Sequence, residues 1–409
     1  MIRTSRIRCS ASATSFFSSV KMGPADPILG LGLAFNADTD PKKVNLGVGV
    51  YRGDDGKPFV LESVKKAGGA YPHMEYAPIS GPPGFVGKAQ GLAFGENSTA
   101  IKQKRIASTQ SLSGTGGLRV VSDFLARFLP SKKIYVPNPS WGNHLNIFKD
   151  SGLDVQRYSY FDASKNALNF EGILKDLNAA PKDSIVLLHA CAHNPTGIDP
   201  TKEQWAEIIN LVSTKQLFPF VDMAYQGFAS GDLDRDAYAL RSLTETVPNL
   251  ALAQSFAKNF GLYGQRIGAA HFVCKDAEEA DRVLSQVKIL IRPMYSNPPI
   301  HGAHIVDTIL SNPDLTKLWK SELKDMADRM NNIRGRLVQE LAALGSTRDW
   351  SHITKQIGMM AFTGMSKAQV DRLKAEFHVY MTDDGRAAIS GLNSQNVQYV
   401  AKAFHEVTK

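Results

Sequence analysis

The stretch Gln254-Ser-Phe-Ala-Lys258-Asn-Phe-Gly-Leu-Tyr-Gly-Gln-Arg266-Ile-Gly268 decides the reading of the fold. Ala251-Leu-Ala253 before it and Ala269 to Val273 after it are apolar enough to be buried strands, so the polar segment between them is a loop of a sheet protein. Loops at strand ends are where chemistry usually sits. This one gathers an amine (Lys258), two hydroxyls (Ser255 and Tyr263), a guanidinium (Arg266) and glycines at 261, 264 and 268. Such a set packs a core badly and suits a phosphorylated ligand. An isolated loop lysine is ordinarily just solvated. A lysine desolvated between apolar strands is instead nucleophilic at neutral pH and condenses with aldehydes.

Upstream, the pattern repeats as strand, loop and helix. Arg105 to Gln110 reads as a strand, Ser111-Leu-Ser113-Gly-Thr115-Gly-Gly117 as a turn, and Leu118 to Phe128 as a helix. A glycine-rich turn that feeds a helix N-terminus binds phosphate through free N–H groups and the helix dipole. It is neither a Walker loop nor a dinucleotide fingerprint, because no Gly-Lys-Ser/Thr follows and Arg119 stands where the third glycine belongs. Ile134 to Val136 is a strand leading to Trp141, and Ile185 to Ala190 is a strand leading to Asn194-Pro-Thr-Gly197. Leu217 to Val221 is a strand ending in Asp222-Met-Ala-Tyr225. A carboxylate at the end of an apolar strand is costly unless a cation or donor meets it. Thr201 caps a helix through Lys215 whose apolar face is Trp205, Ile208, Ile209 and Val212. His189 and His193 fall on a strand and its exit turn, so they do not share a helical face, and no metal site is expected. Strands alternating with helices from 105 to 273 predict an α/β protein with a predominantly parallel sheet covered on both faces.

Past residue 275 the pattern turns helical. Ile291-Arg292-Pro-Met-Tyr-Ser296 reads as a proline-rich loop, and Leu315 to Leu344 as a long helix linking two domains. Gln356 to Thr363, Ser366 to Phe377 and Val379 to Ser390 read as strand, helix and strand, with Asp384-Gly-Arg386 inside the last. At the other end, Met1 to Lys21 carries Arg3, Arg6, Arg8 and Lys21, many serines and no acid, the composition of a transit peptide. Removing those four charges from the formal +8 leaves +4, and no Lys/Arg cluster is interleaved with aromatics, which argues against nucleic acid as a partner. No apolar run is long enough to span a bilayer. Cys9 lies in the leader, and Cys191 and Cys274 flank apolar strands as buried free thiols, which fits a reducing compartment. Asp26-Pro-Ile-Leu29 reads as an extended segment and Val44 to Tyr51 as a short strand.

Ser255-Phe-Ala-Lys258 followed by Gly-Leu-Tyr-Gly-Gln-Arg266 resembles the pyridoxal-phosphate lysine segment of the aspartate aminotransferases, class I of the fold-type I enzymes. The similarity runs from about Met22 to Lys409 and is closest to mitochondrial members. It implies a large α/β domain with a predominantly parallel seven-stranded sheet, and a smaller α+β domain built from the N-terminal segment and the C-terminal part. The implied boundaries are 1–21 for a mitochondrial transit peptide, 22–70 for the N-terminal segment, 71–320 for the large domain and 321–409 for the small one.

The resemblance also implies a cofactor, pyridoxal 5'-phosphate, and assigns roles. Lys258 carries the cofactor and serves as acid/base. Asp222 keeps the ring nitrogen protonated, Tyr225 and Asn194 stabilise the ring phenolate, and Trp141 stacks on the ring, with Pro139 after a cis peptide bond. Ser113, Gly114, Thr115, Ser255 and Arg266 hold the phosphate, joined by Tyr76 of the neighbouring subunit. Gly49, Trp141 and Asn194 lie against the substrate, Arg386 clamps its α-carboxylate, and Arg292 of the other subunit holds the distal carboxylate. Two arginine forks imply small dicarboxylate amino and keto acids as partners. The expected protein is a homodimer of shared active sites in the mitochondrial matrix that moves an amino group between L-aspartate and 2-oxoglutarate. The rival expectations are an aromatic-amino-acid aminotransferase or side-chain lyase on the same scaffold, and a catalytically silent binding protein.

Overall fold

The computed structural model describes residues 29–47, 49–68 and 75–409. The expected transit peptide, 1–21, and the start of the expected extended segment, 26–28, lie outside the described residues.

A seven-stranded sheet forms the centre. In chain order its strands are β1 (Ile106–Leu112), β2 (Lys133–Asn138), β3 (Asp154–Ser159), β4 (Ile185–His189), β5 (Phe218–Met223), β6 (Leu250–Ser255) and β7 (Ile267–Val273), arranged in space as β1-β7-β6-β5-β4-β2-β3. Neighbours from β6 through β5, β4 and β2 to β3 are parallel. β7 alone runs against both of its neighbours, β1 and β6. β4 and β6 are buried along their whole length, as expected of strands covered on both faces. One apolar cluster holds Ile208, Ile209 and Val212 against Val186, Leu188 and Val221, and another holds Val121 and Leu125 against Leu187 and Phe220, so helices cover the two faces.

Helix α1 (Ser113–Phe128) starts five residues earlier than the spacing of its apolar residues suggests. Ser113 to Gly117 is therefore its first turn and not a free turn. Low helix propensity costs little there, because the first N–H groups of a helix have no intrahelical partner in any case. α2 (Gly142–Asp150) follows β2. α3 (Lys202–Thr214) is closed by the expected Thr201 cap, here a capping box with Gln204. α4 (Ala277–Tyr295) corrects the proline-rich loop: Arg292 lies in its last turn and Pro293 is inside the helix. So near the C-terminus, a proline forfeits one backbone bond without ending the helix before it.

α5 (Pro313–Ala343) spans 31 residues. Its Arg334 is 1% exposed and donates to the carbonyls of Ile353, Gly358 and Met360. The expected strand at 379–390 is two short strands, Val379–Tyr380 and Arg386–Ala388, because Gly385 takes φ +82° and turns the chain between them. Arg386–Ala388 pairs with Met360–Phe362, placing Phe362 opposite Arg386. Leu29–Ala37 is helical and not extended, and the strand expected over Val44 to Tyr51 is only Val44–Asn45.

Val44–Asn45 pairs in parallel with Val379–Tyr380, and Leu46 shares a core with Leu337, Val379 and Phe404. Asp38 fastens the same contact, accepting from Tyr380 Oη at 2.6 Å and lying 2.8 Å from His378 Nδ1. The hydrogen bond from Tyr380, with the Asp40 N–H and His378, holds the Asp38 carboxyl down to about 2, below its ordinary 3.8. A depressed carboxyl adds stability above its ordinary value and loses it as pH falls through the folded one. Thermal melts between pH 5 and 2 are expected to fall less steeply for Asp38→Asn than for the native chain, with the difference concentrated between about 4 and 2.

Candidate active site

In a parallel sheet, ligands gather beyond the carboxyl ends of the strands. β1 leads to Ser113, β2 to Trp141, β4 to Asn194, β5 to Tyr225 and β6 to Lys258. Because β7 is antiparallel, it is its start that lies at this edge, which brings Arg266 there as well. Gly49 and Arg386 come from the other side, and all of these line one cleft of about 170 Å³ that opens to solvent.

At its floor, Asp222 Oδ2 lies 2.8 Å from His144 Nε2. Burial alone would raise the Asp222 carboxyl, yet the hydrogen bond and charge of His144, with His189 and Lys258, leave it below the ordinary range. Asp222 is thus an anion with an open face, its side chain 11% exposed. His144 continues through Ser140 Oγ, 2.9 Å from Nδ1. Donor atoms of His144, His189 and Asp222 fall within 4.8 Å of one another.

Lys258 Nζ lies 5.3 Å from the Tyr225 ring centroid. Burial pushes the amine below the ordinary lysine value; Asp222 opposes this and Arg266 adds to it. A larger share of free base follows, which is what a nucleophilic amine needs. Burial and the Asp222 charge push the Tyr225 phenol up, so it is a donor at neutral pH. Arg386 is 5% exposed, with its guanidinium 3.4 Å from Asn194 Oδ1 and 3.5 Å from Gly47 O. Few partners for a buried fork leave it free to take a carboxylate.

The phosphate end is a cradle. Ser113 and Ser255 Oγ atoms are 3.1 Å apart, and the Ser113 N–H donates to Arg266 O at 3.1 Å. α1 has no side-chain cap and no acid in its first turn, so beyond the Ser113 N–H, which Arg266 O takes, its first N–H groups have no side-chain acceptor and are left for an anion. A Cβ at Gly268 would lie 2.5 Å from the Ser113 carbonyl carbon, so only glycine lets β7 approach the start of α1 this closely. Hydroxyls, helix amides and a guanidinium suit a phosphate. The anionic Asp222 suits a protonated ring nitrogen, and the Lys258 amine suits an aldehyde. The residues present therefore fit pyridoxal phosphate.

Two expected residues are not in this cleft. Tyr76 is 83% exposed, and Arg292 is exposed, its Nη1 bonded to Ser296 Oγ. The cleft also contains residues to which sequence reasoning gave no role. His144 could have been suspected from its place three residues after Trp141. Met360 and Cys191 carried no signal.

Residues 41–404 match the family model described as aminotransferase class I and II. The chain belongs to that family. Among aminotransferases it is 54% identical over 407 residues to the mitochondrial aspartate aminotransferase of Dictyostelium discoideum, covering 98% of this chain and 96% of that one. The structure of a mitochondrial aspartate aminotransferase from Trypanosoma brucei superposes with a TM-score of 0.91 at 52% identity, covering 93% of this chain and 100% of the other. An aromatic-amino-acid aminotransferase from Burkholderia pseudomallei, described as covalently bound to pyridoxal phosphate, superposes with a TM-score of 0.94 at 44% identity, covering 97% of this chain and 100% of the other.

Proposed function

We propose that this chain is a pyridoxal-phosphate-dependent aspartate aminotransferase, exchanging the amino group between L-aspartate and 2-oxoglutarate to give oxaloacetate and L-glutamate. The observation that carries the reading is the meeting, in one cleft, of the depressed Lys258 amine, the anionic Asp222 and the buried Arg386. Pyridoxal phosphate, when bound, supplies an aldehyde for an amine to condense with and a conjugated ring that accepts the electron pair released at an α-carbon.

The chain's residues do the rest. Ser113, Gly114, Thr115, Ser255 and Arg266 would hold the cofactor's phosphate, anchoring it independently of Lys258. Asp222, braced by His144, would hold a proton at the cofactor's ring nitrogen. Tyr225 and Asn194 would donate to the cofactor's ring oxygen, and Trp141 would supply an apolar face for the ring. Arg386 would orient the substrate by its α-carboxylate next to Gly49, and the free-base Lys258 Nζ would take the α-proton. L-Aspartate alone, without a keto acid, is expected to change the protein's visible spectrum and release about one oxaloacetate per site, as two half-reactions require. Turnover only when both substrates are bound together would sink the reading.

The exposed Tyr76 and Arg292 support a homodimer in which each subunit completes its neighbour's site. The names of the mitochondrial relatives, together with the basic, acid-free leader, support the matrix as the location. Among the described residues no helix is long and apolar enough to cross a membrane. The pairing of 44–45 with 379–380 supports a small domain of 22–70 plus 321–409 against a large one of 71–320.

The likeness to aromatic aminotransferases makes Arg292 the discriminating residue. Arg292→Leu is expected to lower kcat/KM for L-aspartate by roughly 10²–10⁴-fold, since a carboxylate without its partner is heavily penalised in a closed site, and to change that for L-phenylalanine far less. Equal losses on the two substrates would favour an aromatic specificity.

A further inference from the structure

The last paired residues of β5 and β6 are Asp222↔Ala253 and Met223↔Gln254. Tyr225 and Lys258 both lie past that point, on loops the ladder no longer registers. Among the described hydrogen bonds, the one that joins the two loops directly is made by Asn259, whose Nδ2 donates to Gln226 O at 3.1 Å. Each partner is the immediate neighbour of a residue at the reacting centre.

The brace is itself anchored. Asn259 is 1% exposed, and its carbonyl accepts from Trp319 Nε1 of α5 at 2.8 Å. The Phe260 ring stacks on Trp319 at 4.3 Å and 17°. Gln226 is held from behind, its Nε2 donating to Leu92 O at 2.7 Å. Asn259 Oδ1, by contrast, has no partner. An apolar side chain of the same shape would spare the orphaned Asn259 Oδ1 but would leave the Gln226 carbonyl without this donor, so what the amide contributes here is the tie its nitrogen makes to the neighbouring loop.

We propose that Asn259 is a positioning residue for the reaction: by tying its loop to Gln226 O it fixes the Lys258 amine over the face of Tyr225. The inference rests on the function proposed above. A displacement of about 1 Å at a reacting group can cost on the order of 10²-fold in rate, and the lysine stem is flexible, so the main chain beside it has to supply the precision.

The test uses Asn259→Leu, Asn259→Ser and Trp319→Phe, the last keeping the ring stack while losing the donor. In cofactor-free protein, the pH midpoint for reductive methylation of Lys258 by formaldehyde and cyanoborohydride is read by peptide mass spectrometry. It is expected to rise by about one unit in the Asn259 variants, because an amine freed from its desolvated seat regains its ordinary basicity. Trp319→Phe is expected to shift it the same way by less. In holoprotein, kcat is expected to fall by about 10–100-fold while KM for L-aspartate stays within about twofold. Midpoints and kcat matching the native chain in the variants that fold would overturn the proposal, even if their melting temperatures drop. Should the native protein fail to transaminate, the kinetic arm would be silent for every variant, whereas the labelling midpoint would still report on Asn259.

Discussion

Lys258→Ala is expected to abolish transamination of L-aspartate to within the assay limit, a loss in kcat/KM of at least about 10⁴-fold, and to leave the fold intact. Two functions disappear with one amine: the nucleophile that condenses with an aldehyde, and the base that takes the α-proton. General acid/base catalysis alone is worth roughly 10²–10⁴-fold, and nothing else in the cleft combines a free-base tendency with this position. Lys258 is half-buried and below the ordinary lysine value because of burial, so its removal relieves desolvation and does not undermine packing. Steady-state kinetics check the first part, and borohydride reduction of native holoprotein followed by peptide mapping checks the second: the label should sit on residue 258. A label elsewhere, or activity within about 100-fold of native, would contradict the assignment.

The second large effect is expected at Asp222. Asp222→Asn keeps the shape and can still accept from His144 Nε2, so the melting temperature should move little. What vanishes is the negative charge that the hydrogen bond and charge of His144 hold in place against the cost of burial. The pair broken would be that between this charge and the protonated ring nitrogen of the cofactor; losing one partner of a buried pair costs about 3–5 kcal/mol, so kcat is expected to drop by roughly 10²–10⁴-fold with KM for L-aspartate nearly unchanged. A variant that lost substrate affinity but kept kcat would place the carboxylate on the substrate and not on the cofactor ring.

Much of this site was legible because its residues lie at the ends of strands that announce themselves as apolar runs. Asp222 follows Phe220-Val221, and Lys258 follows Ala251 to Ala253. A charged residue stranded at the edge of such a run asks for a partner, and that question has a chemical answer. The glycine-rich start of α1 was harder, because Ser, Gly and Thr look like a turn; their helical state is imposed by β1 and β7 beside them, with the Ser113 N–H tied to Arg266 O. Arg292 was misjudged through Pro293, whose local signal is strong but whose cost at a helix end is small. Met360 could not be read at all. It reaches the cleft through pairing with Ala388 and through the carbonyl held by Arg334, contacts between distant parts of the chain that leave no local pattern.

The pairing of Val44 with Val379 sets an order of manufacture. The two residues are 335 apart, and at roughly 5–20 residues per second of synthesis the first waits about 17–67 s for the second to emerge. During that interval Leu46, 1% exposed in the finished molecule, lacks the neighbours it has in Val379 and Phe404, and the segment bearing Gly47 and Gly49 lacks the strand that fastens it. A nascent chain that stops short of Val379 therefore presents sticky surface and an open half-cleft. Such a chain is a client for a chaperone and cannot be an early-working enzyme.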